Sequence, residues 1–161
     1  MKRIPLLLAA LLVAAASGSA VASAHGGAST ARGAGAKARA ARATEVVLHH
    51  TSLGSILTTS SGFTLYEFTR DHGSANSCVK IRECPQVWPA LETVGRPTAG
   101  PGVKSSLLSS IRIAGGASQV TYAGHPLYRY SADSRGATDY VGFSAFGGKW
   151  YALGASGQTV K

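Results

Sequence analysis

The chain repeats itself without gaps at a spacing of 62 residues, and this repeat constrains its fold more than any other feature. Between 62–91 and 124–153, nine of the thirty positions are identical. The two tryptophans of the chain, Trp88 and Trp150, fall on equivalent positions, which argues against chance. We therefore predict a duplicated unit, with repeat 1 at about 50–95 and repeat 2 at about 108–157.

Each copy contains two β-prone runs around a glycine turn, followed by a polar loop and a tryptophan segment. The runs are 55–59 and 63–69 in the first copy, and 119–122 and 126–131 in the second. This pattern predicts a hairpin, with the tryptophan segment as a third strand. A helical turn is expected only around 105–110. The predicted fold is all-β and mainly antiparallel: one compact domain from two tandem three-stranded repeats with a pseudo-twofold relation and little helix.

A Tyr-x-aromatic-x-x-Asp motif ends the second run of each copy, at Tyr66, Phe68 and Asp71 and at Tyr128, Tyr130 and Asp133. Residues i and i+2 of a strand share a face, so the two aromatic residues of each motif point together. They could form a shelf for a ligand, but regular aromatic spacing favours core packing. Each aspartate falls where the strand reverses, and we expect it to accept backbone donors in its own turn.

The two cysteines, Cys78 and Cys84, lie in the loop of the first copy. In an exported protein an isolated pair at this spacing is expected to form a structural disulfide. The spacing does not fit the Cys-x-x-Cys pattern of redox proteins. The second copy places Tyr140 and Phe146 at the equivalent positions, and a structural role for the pair is consistent with that replacement.

Other chemistry has weaker support. His72, His125, Asp71 and Asp133 could hold a metal ion if the two copies brought them together. Asp71 and Asp133 could instead act as the carboxylate pair of a glycoside hydrolase. No Gly-x-Ser-x-Gly or other complete catalytic pattern is present. We therefore assign no catalytic residue, cofactor or metal ligand, and whether the protein is an enzyme stays open.

The amino-terminal segment is typical of an export signal. Lys2 and Arg3 precede an apolar run, and small residues end at Ala24, which predicts a signal peptide over 1–24. No cysteine lies near the predicted cleavage site, so no acyl anchor is expected. Residues 25–43 carry four cations and no acid, and they are expected to form a disordered basic linker. Such a linker is either a solvated spacer or a contact for an anionic envelope surface.

The net charge of +9 includes these terminal cations. The predicted domain, 44–161, has ten basic and seven acidic residues, well interspersed, which leaves +3. Nucleic-acid-binding proteins concentrate cations on one face or helix, so we expect no nucleic-acid partner. After signal removal no membrane segment remains by sequence, and a monomer is expected in the periplasm, the cell wall or the medium.

With both motifs in view, the chain resembles the family of secreted or lipoprotein repeats that carry a Tyr-x4-Asp motif. The segments 64–66, 87–89 and 120–128 are similar to sequences typical of this family, and the resemblance extends over nearly all of 50–155. It implies an extracytoplasmic bacterial protein in a family without an established activity.

Three functions are consistent with these observations. The favoured one is a non-catalytic β-repeat module of the cell envelope or extracellular space, structural or binding, whose partner is an unidentified envelope ligand or protein. The second is an accessory protein that binds a metal or cofactor through the Asp, His and Tyr residues near the motif. The third is an envelope carbohydrate hydrolase that uses Asp71 and Asp133. Convergence of these two carboxylates on one cleft would favour the third.

Overall fold

The computed structural model describes residues 43–73 and 75–161. The predicted signal peptide and the linker up to residue 42 lie outside this part of the chain. The described residues form mostly antiparallel strands with little helix, as predicted. The strands are β1 (Glu45–Thr51), β2 (Gly54–Thr59), β3 (Tyr66–Phe68), β4 (Glu92–Thr93), β5 (Thr98–Ala99), β6 (Leu108–Arg112), β7 (Ser118–Tyr122), β8 (His125–Pro126), β9 (Phe143–Ala145), β10 (Gly148–Leu153) and β11 (Thr159–Val160). The helix α1 (Cys84–Val87) and 3-10 turns at Cys78–Lys80, Ser105–Leu107 and Ala114–Gly116 connect them.

Both predicted hairpins are present, and glycines shape their turns. After β2 the chain reverses at Gly62, whose φ is +86°, and the Thr59 amide donates to the Phe63 carbonyl at 2.9 Å. After β7 only Ala123 and Gly124 form the turn, both at positive φ, before β8 returns. A two-residue turn with both residues at positive φ matches the twist of the strands that it joins.

The third strand of each copy was predicted correctly only for the second. Trp150 lies in β10, which pairs with β9, whereas Trp88 directly follows the helix α1. Pro85 stands in the first turn of α1, where the missing N–H costs nothing. The helical turn expected around 105–110 is met only in part, by the 3-10 turn at Ser105–Leu107, because β6 begins at Leu108.

Two of the three sheets contain strands from both copies. One sheet has the order β2-β1-β5; the second joins β11, β10 and β3, and the third joins β4, β7 and β6. Thus β3 of the first copy pairs with β10 of the second, and β4 pairs with β7. The prediction of two three-stranded repeats is therefore not confirmed, because neither copy pairs its strands only within itself.

Two pairs of backbone bonds between the copies are reciprocal. Tyr66 and Tyr128 donate to each other's carbonyls at 3.0 and 2.9 Å. Thr69 donates to the Lys149 carbonyl at 3.0 Å, and Ser131, the equivalent of Thr69, donates to the Val87 carbonyl at 2.9 Å. These bonds hold the two motif segments antiparallel at the centre of the domain.

The core has two clusters, and strand alternation assigns neighbouring residues to different ones. Leu65 and Leu127 lie in a mainly aliphatic cluster, whose other buried members are Val46, Leu57, Leu91, Leu108, Val120, Tyr122 and Leu153. The aromatic cluster contains Tyr66, Phe68, Cys78, Cys84, Trp88, Tyr128 and Trp150. The motif tyrosines are therefore part of the core.

Candidate functional site

The two motifs are joined by hydrogen bonds that cross from one copy to the other. The Tyr66 hydroxyl donates to Asp133 Oδ2 at 3.0 Å, and the Tyr128 hydroxyl donates to Asp71 Oδ2 at 2.7 Å. Both tyrosines are buried, at 0% and 1% exposure. Each motif therefore supplies the tyrosine of one pair and the aspartate of the other, an exchange that the sequence analysis did not foresee.

The two aspartates differ in the turns that they close. Asp71 Oδ1 accepts the Ser77 amide at 2.7 Å, which agrees with the expected turn contact. Asp133 Oδ1 is buried and has no hydrogen-bond partner among the described residues, while Asp133 Oδ2 accepts the Tyr66 hydroxyl. Asp71 is thus fixed both by its own turn and by the other copy, whereas Asp133 depends mostly on the other copy.

Burial raises the pKa of all four groups in the two tyrosine–aspartate pairs. Desolvation raises the pKa of Asp71 and of Asp133 above the ordinary value, although the bonds from Tyr128 and Tyr66 act against it. Desolvation, then the charge of the partner aspartate, raises the pKa of Tyr66 and of Tyr128. The tyrosines are therefore held as neutral hydroxyl donors, which suits a structural lock better than proton transfer.

A stack of aromatic rings lies beside the two pairs. Trp88 and Trp150 stack with ring centroids 4.0 Å apart and planes within 2°. Phe68 stacks on Trp150 at 4.1 Å, and Tyr130 packs on the other side against Trp88 at 4.8 Å. Phe68 is only 2% exposed. Tyr66, Phe68 and Tyr128 are therefore core residues, and half-buried Tyr130 is the motif ring nearest the surface.

The disulfide between Cys78 and Cys84 is present, as predicted. Both cysteines are buried in the aromatic cluster, and Tyr140 and Phe146 pack against the same cluster from the second copy. Tyr140 also lies 3.8 Å from the Tyr130 ring. The disulfide and the two aromatic residues thus pack against the same core from equivalent positions of the two copies.

A cleft of about 690 Å³ has no motif residue in its lining. We call it the arginine cleft, and it is formed by the segment after β4, by β6 and by the start of β7. Its polar lining includes Glu92, Arg96, Ser109, Ser110, Arg112 and Ser118. Neither Asp71 nor Asp133 lines it. The sequence analysis missed it because all of its lining residues fall outside the aligned stretches 62–91 and 124–153, where no motif stands.

Residues 109–153 match a secreted repeat of unknown function. This family, Lipoprotein_15, covers β6 to β10, with Tyr128, Tyr130 and Asp133 of the second motif inside the matched stretch. The predicted extracytoplasmic location agrees with the family description. No curated protein and no solved structure matches the chain. In the part of the chain described here, no helix has the length and apolar character to cross a membrane.

Three of the four residues considered as metal ligands, His125, Asp71 and Asp133, have other partners. His125 lies in β8, within the stretch that matches Lipoprotein_15, and its Nδ1 is 2.6 Å from Glu67 Oε2. Glu67 is nearly buried and also accepts the Thr159 hydroxyl at 2.6 Å. His72 is exposed. Over 43–73 and 75–161, no three His, Cys, Asp or Glu side chains are grouped closely enough to hold a metal ion.

The contact between Glu67 and His125 also links the two copies. It joins β3 to β8, while Thr159 brings the carboxyl-terminal strand β11 to the same carboxylate. Arg129 stands at the position equivalent to Glu67 and is exposed. The alignment of the copies therefore gave no signal for this contact.

Proposed function

We propose that the domain is a non-catalytic β-repeat module of the cell envelope or extracellular space, which acts by binding through its loops. The observation that carries this proposal is the exchange of tyrosine–aspartate bonds between the copies. These bonds use the tyrosine hydroxyls and the aspartate carboxylates of both motifs to join the two copies. The surface loops are then the part free to contact a partner.

The two alternatives have less support from the same contacts. A glycoside hydrolase needs two carboxylates that face one substrate. Here Asp71 and Asp133 are held by different tyrosines, and the arginine cleft does not contain them. A metal-binding accessory protein needs several ligands in one place, whereas His125 faces Glu67 and Asp71 faces Tyr128.

Turnover and metal content test the proposal directly. The exported protein is assayed on chromogenic glycosides and on cell-wall carbohydrate, beside an Asp71→Asn/Asp133→Asn variant. We expect no turnover by either protein. Turnover that the double substitution abolishes would establish the hydrolase instead. A stoichiometric metal in elemental analysis, lost on His125→Ala or Asp71→Asn, would establish the accessory protein.

Binding supplies the positive test. The double substitution Tyr66→Phe/Tyr128→Phe removes both tyrosine–aspartate hydrogen bonds but leaves the surface unchanged. We expect this variant to melt lower and, below its melting temperature, to retain the affinity of the wild type for envelope material isolated from the producing cells. A folded variant that has lost this binding would mean that the tyrosine hydroxyls contact the ligand. Native mass spectrometry is expected to show a monomer.

A further inference from the structure

The strand β6 has one edge that pairs with no other strand. It pairs with β7 on one side, and within the described residues neither a strand nor an isolated bridge lies on its other side. The other strands of five residues or more, β1, β2, β7 and β10, have a pairing partner on both edges. Among the described strands, β6 is therefore the longest that leaves an edge open.

The ladder between β6 and β7 shows which backbone groups face this open edge. At one end of the ladder the Leu107 carbonyl accepts the Ala123 amide at 2.8 Å. Along an antiparallel strand, residues that bond to the partner alternate with residues whose N–H and C=O point away from it. Ser110 and Arg112 stand at the alternate positions, so their backbone groups point away from β7.

The partner of Ser110 in β7 confirms this alternation. Val120 lies opposite Ser110, and it uses its own backbone groups on the far side of β7. Its amide donates to the Leu91 carbonyl at 2.8 Å, and its carbonyl accepts the Leu127 amide at 2.9 Å. Within the described residues, no hydrogen bond is made by the backbone N–H or C=O of Ser110 or Arg112. Two donors and two acceptors therefore stand unpaired along the open edge.

The surroundings of β6 leave room for another chain. Ser109, Ser110 and Arg112 line the arginine cleft, so about 690 Å³ of open space borders the strand. Serine side chains are small and let a second backbone come close. Proline, lysine and bulges are common means of protecting an edge strand, and β6 contains neither proline nor lysine. Its single charge, on Arg112, is turned to the Gly116 carbonyl at 2.6 Å.

Charge restricts what can occupy this edge. Arg96 and Arg112 line the cleft with a single acid, Glu92, so the lining carries a net charge of +1. An acidic segment is attracted to such a lining and a basic one is repelled. The domain over 44–161 itself carries +3, so charge does not favour a second copy of this chain as the occupant.

We propose that the open edge of β6 receives an extended, acidic segment of a partner polypeptide, which joins the sheet as a further strand. Backbone bonds to Ser110 and Arg112 hold the segment, as in other cases of strand addition. Its acidic side chains lie in the arginine cleft. This inference rests on the proposed function and names the partner class of the module.

Calorimetric titration of the exported protein with synthetic peptides tests strand addition. The probe is a seven-residue peptide of alternating valine and glutamate. One control carries lysine in place of glutamate, and another is the acidic peptide with its backbone nitrogens methylated, which removes the donors that a strand needs. We expect the acidic peptide to bind at least about tenfold more tightly than either control. Equal affinity for the methylated peptide, or no binding of the acidic peptide, would overturn the proposal.

Two substitutions at one position locate the site. Ser110→Pro removes the outward N–H but no bond of the ladder to β7, because proline is tolerated where the N–H of an edge strand faces solvent. Ser110→Ala removes the same hydroxyl and keeps the N–H. We expect an affinity loss of about tenfold or more for the proline variant and of less than about threefold for the alanine variant. A folded proline variant with wild-type affinity would overturn the assignment to β6, and the methylated peptide decides if this variant does not fold.

Sedimentation of the wild type tests the choice of occupant. We expect no dimer as the protein concentration is raised. A dimer that Ser110→Pro abolishes would show that a second copy occupies the edge, and would overturn the proposal of an acidic partner.

The failure of this proposal can be told apart from that of the proposed function. If the acidic peptide does not bind, strand addition is wrong, whereas the absence of turnover and of metal still supports a non-catalytic module. Turnover that depends on Asp71 and Asp133 would refute the module itself, whatever peptide β6 bound.

Discussion

Each motif tyrosine has its hydrogen-bond partner in the other copy. Tyr66 and Asp133 are 67 residues apart in sequence, and Tyr128 and Asp71 are 57 apart. A hydroxyl that donates to a buried carboxylate forms a stronger bond than one between neutral groups. The bond also gives the desolvated carboxylate a donor that water would otherwise provide. At the scale of the residue, the motif therefore acts as a reciprocal lock.

Removing one hydroxyl should weaken this lock. We expect Tyr66→Phe and Tyr128→Phe each to reduce the free energy of unfolding by about 1–3 kcal/mol, because each leaves a desolvated carboxylate oxygen without its donor. Urea denaturation followed by tryptophan fluorescence measures the loss. Tyr151→Phe is the matched control: Tyr151 is half-buried in β10 and its hydroxyl makes no hydrogen bond within the described residues. Its loss should stay within about 0.5 kcal/mol, and an equal loss in all three would contradict the lock.

The raised pKa of Asp71 and Asp133 predicts the sign of a pH effect. A pKa above that of the unfolded chain means that the folded state binds more protons, so the contribution of these groups to stability falls as the pH rises through the folded pKa. It is fully present below the unfolded value, about 3.9. We therefore expect these two groups to favour folding more as the pH is lowered from neutrality to about 4.

The Asp71→Asn/Asp133→Asn variant isolates this effect. Asparagine stays neutral at every pH in this range, so the stability gained by these sites on acidification should disappear. Denaturation midpoints measured from pH 4 to pH 7 give the difference between wild type and variant. The stability of the wild type relative to the variant should fall from pH 4 to pH 7, and a relative stability that rises over this range would contradict the assignment.

The elements that the sequence predicts well are those fixed by local chemistry. Gly62 and Gly124 mark both hairpin turns because the backbone there requires positive φ. Trp88 was assigned to a strand by analogy with Trp150, but the short helix α1 precedes it. Pro85 lies in this helix, and the disulfide between Cys78 and Cys84 ends at its first residue. The alignment of the copies led us to expect the same strand in both, although only the first copy has a loop closed by a disulfide.

The disulfide stabilises this element through the unfolded chain. We expect Cys78→Ser/Cys84→Ser to fold and to lose roughly 2–3 kcal/mol of unfolding free energy, because the closed loop is short. The same loss should follow reduction of the wild type, and reductant should leave the variant unchanged. A variant of full stability that has lost ligand binding would mean that the loop is functional instead.

At the scale of the whole molecule, the sequence indicates the duplication but not which strand pairs with which. Alternation correctly separates Leu65 from Tyr66, because that depends only on neighbouring positions. The pairing of β3 with β10 and the exchange of Tyr66 with Asp133 depend on how the copies meet, and no local signal encodes that. The arginine cleft has the same origin, since the connection between the copies and the neighbouring strands β6 and β7 line it.

Shared sheets predict that neither copy folds alone. Fragments 43–103 and 104–161 separate the copies in the connection before β6. Each would expose an unpaired edge, β3 or β10, and one half of the stack between Trp88 and Trp150. We expect each fragment to be largely unfolded by itself, with no cooperative melting transition. An equimolar mixture should assemble, because the reciprocal backbone and tyrosine–aspartate bonds do not need the connecting peptide.

Near-ultraviolet circular dichroism and size-exclusion chromatography measure this assembly. The mixture should recover the tryptophan signal of the intact domain and elute at its size. A second fragment with Trp150→Ala removes the ring that stacks on Trp88 and Phe68, and its mixture should assemble far more weakly. Cooperative melting of either fragment alone would show that the copies are independent domains. In that case the pairing of strands between the copies would not be needed for folding, and the motif would need another explanation.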